Sequence, residues 1–368
     1  MAIGEGLRGK RVFVTGHTGF KGSWLLMLLE RAGALVSGYS LSPPTTPSLF
    51  EAARLRDLVA EHREGDICDA SRLASAVVAA EPDVVMHLAA QPLVRLSHRE
   101  PLETFSTNVL GTASVLDAVR ALAQPCAVVV VTSDKCYHPR DDGRPHDESD
   151  PMGGRDPYSA SKGAAELVAA AYRHSFFAPE RLAEHGVQLA TVRAGNVIGG
   201  GDWAEDRIVT DIVRHLVAGR PVPVRNPEAI RPWQHVLEPL TGYLALAEAM
   251  LTEPAPRWCT GWNFGPADGG DVTVGELAQI FIDAWGAGAW RDVHDPRAPS
   301  ETRVLRLAIG KAAGDLPWRP RLDAHEAIRR TADWFRGFVN TPASARSLCE
   351  ADIDGYLALA CPSRAGRS

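Results

Sequence analysis

The first half of the chain alternates short apolar runs with longer amphipathic stretches. The runs are rich in β-branched residues, which is typical of strands that are covered on both faces of a sheet. They lie at residues 11–15, 34–39, 84–88, 127–132 and 188–193. The stretches that predict helices lie at 23–32, 71–80, 107–122 and 157–174. Strands that alternate with helices in this way predict an α/β fold with a doubly wound parallel sheet.

The regular alternation fades after about residue 195. Gly, Pro and Trp become frequent, as in GNVIGGGDW and VRNPEAIRPWQH, although helices are still predicted at 208–218 and 239–251. We therefore expect a first domain at 1–194 that holds the sheet. A smaller, irregular domain at 195–340 is expected to lie against the first domain or to be interleaved with it. Residues 341–368 are expected to form a peripheral helix with a frayed tail.

Charge and cysteine content narrow the class of protein. The 368 residues carry a formal net charge of −6, which argues against a dedicated nucleic-acid binder. No apolar run reaches the roughly 18 residues of a membrane helix, and the N-terminus lacks the apolar segment of a signal peptide. The six cysteines form no CxxC pair and the twelve histidines no HxxxH pair, so neither a disulfide framework nor a metal site is predicted. We expect a cytoplasmic protein without membrane or nucleic-acid partners.

A glycine-rich turn separates the first predicted strand from the first helix. Its GxxGxxG spacing lets the backbone approach a pyrophosphate, and the helix N-terminus offers N–H groups to it. The residues that we expect to hold a dinucleotide here are Gly16, Thr18, Gly19, Phe20, Lys21 and Gly22. Further along the chain, the expected contacts are Asp66 and Ile67 at the adenine edge, and Leu88, Ala89, Ala90 and Gln91 at a strand end.

The end of the second predicted strand bears on the choice between NAD and NADP. The acid that usually binds the adenosine ribose is missing from its sequence, VSGYSL. No arginine stands next to Ser40 to hold a 2′-phosphate. We therefore expect NAD to be preferred, by a smaller margin than in proteins with the acid.

Tyr158 and Lys162 form a YxxxK motif within a predicted helix. A spacing of four places both side chains on one face of the helix. The lysine ammonium is expected to lower the pKa of the phenol, so that Tyr158 serves as a base toward an alcohol. Thr132 and Ser133, at the end of the preceding strand, carry hydroxyls that can bind the same substrate oxygen.

These motifs together resemble the extended short-chain dehydrogenase/reductase family, which includes the nucleotide-sugar epimerases and dehydratases. The resemblance covers residues from about 10 to 340. Longer strings are similar to the branch of dehydratases that act on CDP-glucose: TGHTGFKGSWL, GYSLSPPTTPSLFE, TSDKCY, GGRDPYSASKGAAELV, RAGNVIGGGDWAEDRIV and IRPWQHVLEPLTGYL. The resemblance implies a Rossmann-type fold, NAD as cofactor, CDP-glucose as substrate and a homodimer.

The resemblance also implies roles for individual residues. Oxidation at carbon 4 by Tyr158 and Lys162 is followed by loss of water across carbons 5 and 6 and hydride return to carbon 6. Asp134 protonates the departing hydroxyl, and Lys135 stands where relatives carry a glutamate base. The expected contacts of the sugar nucleotide are Thr132, Asn196, Arg207, Arg231 and Arg303.

Several alternatives remain open at this point. An epimerase or reductase of the same fold would share the glycine turn and the YxxxK motif without requiring Asp134 and Lys135. A non-catalytic cofactor sensor would be expected to lack the Tyr–Lys pair. Asp134 and Lys135 are compatible with a surface ion pair, and Trp233 and His235 with either a pocket lining or ordinary packing. The sequence does not decide whether Lys135 or another group is the base at carbon 5.

Overall fold

A seven-stranded parallel sheet forms the centre of the computed structural model, which describes residues 4–140, 142–267, 271–294 and 305–359. Its order is β3-β2-β1-β4-β5-β6-β11, so the winding direction reverses between β1 and β4. The strands of the described part are β1 Arg11–Thr15, β2 Leu35–Ser40, β3 Glu61–Glu64, β4 Val84–His87, β5 Cys126–Val131, β6 Val187–Ala194, β7 Val197–Ile198, β8 Val222–Val224, β9 Ile230–Arg231, β10 Gln234–His235, β11 Gly261–Phe264, β12 Val272–Thr273 and β13 Trp290–Asp292. This sheet confirms the predicted fold class.

Helices cover both faces of the sheet. They are α1 Phe20–Ala32, α2 Leu49–Ala52, α3 Ala70–Ala80, α4 Val94–Arg99, α5 Pro101–Phe105, α6 Gly111–Arg120, α7 Pro157–Ser175, α8 Leu182–His185, α9 Ile208–Val217, α10 Leu237–Thr252, α11 Val274–Trp285, α12 Gly310–Asp315, α13 Ala324–Asn340 and α14 Ala345–Leu357. A π-helical turn at Ser106–Leu110 joins α5 to α6. Within the described ranges, none of these helices is long and apolar enough to cross a membrane.

Alternation along the strands sends side chains into two separate cores. In β1, Val12 and Val14 face a core shared with α1, α10 and α13, whereas Phe13 faces a core shared with α3 and α6. Both sets of side chains are buried, which explains why the strands read as continuous apolar runs. The polar residues that follow the strands therefore collect at one edge of the sheet, at their carboxyl ends.

The second half of the chain contributes to the central sheet as well as to the smaller elements. β11 adds to the edge of the sheet beside β6, with Asn263 opposite Arg193. Three two-stranded sheets pair β7 with β10, β8 with β13 and β9 with β12. These short pairs form the irregular part of the molecule that lies beyond the carboxyl end of β6.

The helix α14, which follows residue 340, buries one of its faces in the main core. Ala345, Cys349, Ile353 and Tyr356 of α14 are all buried in the main core. The Tyr356 hydroxyl donates to Glu238 of α10 at 2.8 Å. The apolar face of α14 thus packs on the core formed by α10 and α13, and the expected tail at 360–368 lies outside the described residues.

Candidate active site

The glycine turn meets the end of β4 at the point where the winding of the sheet reverses. Gly16 has φ +75°, and a Cβ added there would lie 2.6 Å from the amide nitrogen of Ala89. Ala89 in turn donates its N–H to the Thr15 hydroxyl at 3.2 Å. Glycine is needed at position 16 both for its backbone angle and for this close approach. Ligands of doubly wound sheets bind in the crevice at such a reversal.

The start of α1 has the features of a pyrophosphate site. Its N-cap, Gly19, is extended and makes no side-chain cap, so the first-turn N–H groups are not taken up by a capping side chain. A Cβ on Gly19 would come no nearer to another group than 3.4 Å, to the Gly16 carbonyl oxygen, so the backbone is open to a ligand. Burial, with the positive charge of the neighbouring Lys162 acting in the same direction, lowers the pKa of Lys21 to about 8. These residues fit NAD.

At the end of β2, where an acid that binds the adenosine ribose is usual, the side chains that form hydrogen bonds are hydroxyls. Ser40 Oγ lies 2.7 Å from Thr18 Oγ1, and Thr18 donates to the Leu41 carbonyl at 2.8 Å. Beyond β3, Asp66 is exposed and its carbonyl accepts the Tyr39 hydroxyl at 3.1 Å. Ile67 is buried in the core, so its side chain serves packing at this edge.

Gln91 shapes the loop after β4 through bonds within the protein. Its Oε1 accepts the Leu93 N–H at 2.6 Å, and its Nε2 donates to the Thr104 hydroxyl at 2.8 Å. Asn108, in the π-helical turn, accepts the Gln91 N–H at 2.8 Å and donates to the Ser161 hydroxyl at 2.9 Å. Sequence analysis missed Asn108, because a π-helical turn has no periodic signature. Both polar atoms of the Gln91 side chain thus form hydrogen bonds that stabilise the loop beside the site.

Tyr158 and Lys162 lie side by side at the start of α7, as their spacing predicts. The helix begins at Pro157, and its N-cap Asp156 accepts the Ser159 N–H at 2.9 Å. Tyr158 and Lys162 are 8% and 6% exposed. Lys162 Nζ donates to the Val131 carbonyl of β5 at 3.3 Å. Burial lowers the pKa of Lys162 to about 8.

The electrostatic expectation for Tyr158 needs correction. Burial raises the pKa of Tyr158 above its ordinary value, and the Ser133 hydroxyl and the Arg207 guanidinium only partly oppose this. The sequence analysis expected the neighbouring ammonium to lower this pKa. The effect of burial is the larger one, because removing a phenolate from water costs more free energy than its interactions with these partners provide.

Asp134 is a buried acid on a short turn directly after β5. This 3₁₀ turn spans Asp134–Cys136, and its N-cap Ser133 accepts the Lys135 N–H at 3.2 Å. The Ser133 hydroxyl donates to Asp134 Oδ1 at 3.0 Å, while Oδ2 is buried without a partner among the described residues. Burial raises the pKa of Asp134, although Lys135 acts in the opposite direction. Asp134 is only 4% exposed, which excludes the alternative of a surface ion pair.

Thr132 points away from Ser133 and Tyr158. Its hydroxyl donates to Glu166 Oε1 at 2.5 Å, on the inner side of α7. The Thr132 and Ser133 hydroxyls have different partners because successive side chains of an extended segment face opposite ways, and this arrangement does not support the predicted contact of Thr132 with substrate. Glu166 follows Lys162 by four residues, and this spacing was the signal that the sequence analysis left unused.

The candidate substrate residues of the second half fall into three groups. Arg207 is exposed and its charge acts on both Tyr158 and Lys21, which brings it to the catalytic centre. The Asn196 carbonyl accepts the Gln234 N–H at 3.0 Å, and Arg231 lies in β9. Arg303 lies outside the described residues.

Trp233 and His235, for which two alternatives were open, are packing residues. Trp233 is 5% exposed, and its indole N–H donates to the Val272 carbonyl at 3.2 Å. His235 is fully buried, with its ring centroid 5.8 Å from that of Trp24. Burial lowers the pKa of His235 to about 3. Their surroundings favour the packing alternative over a pocket lining.

Sequence comparisons with known proteins agree with this geometry. The model of the NAD dependent epimerase/dehydratase family matches residues 12–258. A CDP-glucose 4,6-dehydratase of Salmonella typhimurium is 50% identical over 332 residues, which cover 90% of this chain and 92% of the relative. A dTDP-glucose 4,6-dehydratase of Streptomyces antibioticus is 34% identical over 276 residues, 74% of this chain and 75% of the relative.

A solved structure supports the same assignment. The dTDP-glucose 4,6-dehydratase DesIV of Streptomyces venezuelae, a double mutant with NAD and DAU bound, superposes with a TM-score of 0.72 at 25% identity. The superposition covers 89% of this chain and 97% of that one. Family match, relatives and fold point the same way, and the chain belongs to the NAD dependent epimerase/dehydratase family.

Proposed function

We propose that the chain is a cytoplasmic, homodimeric lyase that converts CDP-D-glucose into CDP-4-dehydro-6-deoxy-D-glucose. The observation that carries the proposal is the position of Asp134. A buried acid with a raised pKa and an unpartnered Oδ2 stands in the same site as the oxidising pair Tyr158 and Lys162. An epimerase or reductase needs the pair alone. The 50% identity to the CDP-glucose 4,6-dehydratase of Salmonella typhimurium supports the choice of substrate.

The oxidation uses the residues of α7. The glycine turn at Gly16–Gly22 would hold NAD, which would supply the hydride acceptor for carbon 4 and the hydride donor for carbon 6. Tyr158 takes the proton of the carbon-4 hydroxyl, with Ser133 and Arg207 favouring the charged phenolate against burial. Lys162 supplies positive charge at the same place and is anchored on the Val131 carbonyl.

The elimination uses the residues of the turn after β5. Asp134 gives its proton to the hydroxyl that leaves carbon 6, and its raised pKa keeps that proton available. Lys135, the next residue of the turn, removes the proton of carbon 5 and gives it back to carbon 5 when the hydride returns to carbon 6. The carbon–hydrogen electron pair forms the double bond between carbons 5 and 6 as water departs.

The diphosphate of the substrate requires cations from a chain whose net charge is negative. Arg207 and Arg231 are the proposed partners among the described residues, and Arg303 is a third. Asn196 is proposed to contact the sugar nucleotide from the end of β6. Charge reversal at Arg207 should therefore raise KM in steady-state kinetics, and it should also lower kcat because the Tyr158 phenolate loses a favourable charge.

Incubation with CDP-glucose and a catalytic amount of NAD tests the proposal. The expected product is lighter than the substrate by one water in mass spectrometry, without net accumulation of NADH. UDP-glucose and dTDP-glucose serve as substrate controls. Stoichiometric NADH would identify a simple dehydrogenase, and a product of unchanged mass an epimerase; either result would overturn the proposal.

Lys135→Arg tests the assignment of the base, because a guanidinium keeps the charge but does not release a proton. Rapid-quench analysis should show NADH and the 4-keto hexose building up without the 6-deoxy product. Lys10→Arg is the matched control, since Lys10 lies at the surface, 3.7 Å from Asp83. Turnover of Lys135→Arg close to wild type would assign the carbon-5 proton to another group.

The homodimer is proposed to form through α5, the π-helical turn and α7, which pack against one another. Leu102, Leu110 and Leu167 on these elements are 84%, 62% and 62% exposed. Two copies of this face cover each other in a two-fold arrangement, the commonest kind of oligomer. Light scattering should give a dimer for the wild type and a monomer for Leu110→Glu/Leu167→Glu. Val217→Glu, at another exposed apolar residue, should remain dimeric.

A further inference from the structure

A buried ion pair lies beneath the catalytic residues and takes no part in the chemistry described above. Arg193 of β6 donates to Glu166 of α7 through two parallel bonds, Nε to Oε1 and Nη2 to Oε2, each 2.8 Å long. Both side chains are 5% exposed. A bidentate pair of this kind fixes the relative position of its two elements as well as their charges.

The pair also holds the residue that precedes the turn Ser133–Cys136. Glu166 Oε1 accepts the Thr132 hydroxyl at 2.5 Å, and the Thr132 N–H donates to the Val192 carbonyl at 2.9 Å. Thr132 follows Val131, whose carbonyl accepts Lys162 Nζ. The end of β5 is thereby tied to the helix that carries Tyr158 and Lys162.

The residue that follows the turn is bound to the same pair. Arg193 Nη1 donates to the Tyr137 hydroxyl at 2.6 Å, and this hydroxyl donates to Asn263 Oδ1 at 2.7 Å. Both flanks of the turn that carries Asp134 and Lys135 are therefore attached to Glu166 and Arg193. On α7, Tyr158, Lys162 and Glu166 follow one another at intervals of four residues and share one face.

We propose that Glu166 and Arg193 are positioning residues that set the distance between the oxidising residues of α7 and the elimination residues of the turn Ser133–Cys136. This inference rests on the proposed function for the roles of those residues. Burial by itself raises the pKa of Glu166. The Arg193 guanidinium and the hydroxyls of Thr132 and Thr191 outweigh this effect and hold the pKa below its ordinary value. The pair thus stays charged and keeps its geometry.

Two threonines provide a matched test. Thr132 donates to Glu166 Oε1, and Thr191 of β6 donates to Oε2 at 2.7 Å. Both are buried, and Thr→Val removes one hydroxyl bond from the same carboxylate in each case. Only Thr132 adjoins the turn. Thr132→Val should lower kcat by about tenfold or more with little change in KM, since small misplacements of reacting groups are costly. Thr191→Val should change kcat by less than about twofold.

The second readout is how the oxidised intermediate divides between two fates. Misplaced Asp134 and Lys135 slow the elimination, so Thr132→Val should release more of the 4-keto hexose relative to 6-deoxy product. Thr132→Ser should restore the wild-type ratio. Tyr137→Phe, which loosens the other flank, should shift the ratio in the same direction as Thr132→Val. Thermal unfolding of each variant separates this effect from a loss of stability.

Two results would count against a positioning role for Glu166 and Arg193. Equal kcat values and product ratios for Thr132→Val and Thr191→Val would overturn the positioning role, as would a loss of thermal stability without a change in the ratio. If Thr132→Val does not fold, the ratios of Thr132→Ser and Tyr137→Phe decide the matter. A wild-type protein that makes no 6-deoxy product from CDP-glucose would instead overturn the proposed function.

Discussion

Two regions of the molecule are each built around a buried glutamate, Glu166 in one and Glu238 in the other. The negative charge of Glu166 is balanced by a cation, whereas Glu238 can lose its charge by gaining a proton. Glu166 faces the guanidinium of Arg193 through two hydrogen bonds, which keep its pKa low despite burial. Glu238 accepts the N–H groups of Arg321 and Leu322 at 2.8 and 2.7 Å and the hydroxyl of Tyr356 at 2.8 Å. Burial raises the pKa of Glu238 to about 7, so this carboxyl gains its proton near neutral pH.

The difference follows from what each glutamate holds in place. Glu166 lies beneath Lys162, and its negative charge raises the pKa of that lysine against the effect of burial. Glu238 joins α10 to α14, far from the reacting groups along the chain, and needs only hydrogen bonds. A permanent charge is kept where it supports a catalytic ammonium, and a titrating carboxyl suffices where the task is packing.

The largest difference between the region of Glu166 and the region of Glu238 is expected in kcat, when a tyrosine of each region is replaced by phenylalanine. Tyr158→Phe removes the proposed base, so kcat should fall by about 10²- to 10⁴-fold while CDP-glucose binding, measured by calorimetry, stays nearly intact. Tyr356→Phe removes a donor from Glu238 and should leave kcat unchanged while it lowers the melting temperature. Near-normal turnover of Tyr158→Phe would remove this residue from the mechanism.

Arg193→Met should give the next largest effect, on stability. The substitution leaves Glu166 buried without its cation, which typically costs about 3–5 kcal/mol. Chemical denaturation measures the loss. The double variant Glu166→Gln/Arg193→Met removes both charges and should recover much of it. Equal losses in the single and double variants would contradict the assignment of Glu166 as a charged partner.

Glu238→Gln should remove part of the pH dependence of stability. The folded-state pKa of Glu238, about 7, lies above the ordinary value of 4.5. Its contribution is therefore full below pH 4.5 and is lost as the pH rises to about 7, by at most about 3 kcal/mol. Denaturation across this range should show a shallower fall for Glu238→Gln than for wild type. Glu253→Gln, at an exposed ion pair with Arg257, is the control and should follow the wild type.

The smallest effect is expected for Thr241→Val beside Glu238. The Thr241 hydroxyl lies 3.1 Å from the Tyr356 hydroxyl and donates to the Glu238 carbonyl at 3.0 Å. Loss of such a bond typically costs about 1 kcal/mol, and kcat should not change. Thermal unfolding and steady-state kinetics check both expectations. A change in kcat would mean that the two regions are coupled.

The parts of the fold that sequence predicts are those with a local signature. The strand, glycine turn and helix from Arg11 to Ala32 are visible because alternation, glycine spacing and helical periodicity follow one another directly. The helix that carries Tyr158 and Lys162 is visible for the same reason. Its interval of four residues predicts a shared face without any knowledge of the rest of the chain.

The remainder depends on contacts between residues that are far apart in the chain. Glu166 and Arg193 are separated by 27 residues, and Glu238 and Tyr356 by 118. Arg193 reads as an ordinary member of a strand, and the four residues of β11 are too few for a periodic pattern. The hydrogen bond from the Thr132 hydroxyl to Glu166 was not foreseen, because it depends on a carboxylate that lies 34 residues further along the chain. Local patterns carry no information about such partners.

The attachment of both flanks of the turn Ser133–Cys136 has a consequence for how this fold changes its chemistry. When the residues on both sides of a turn are held by hydrogen bonds to other elements, the backbone of the turn keeps its position. The side chains at its tip, here Asp134 and Lys135, can then be replaced without moving the surrounding elements. Redesign of the reaction can therefore begin at this tip, with new side chains at one or two positions, and leave the surrounding architecture as it is.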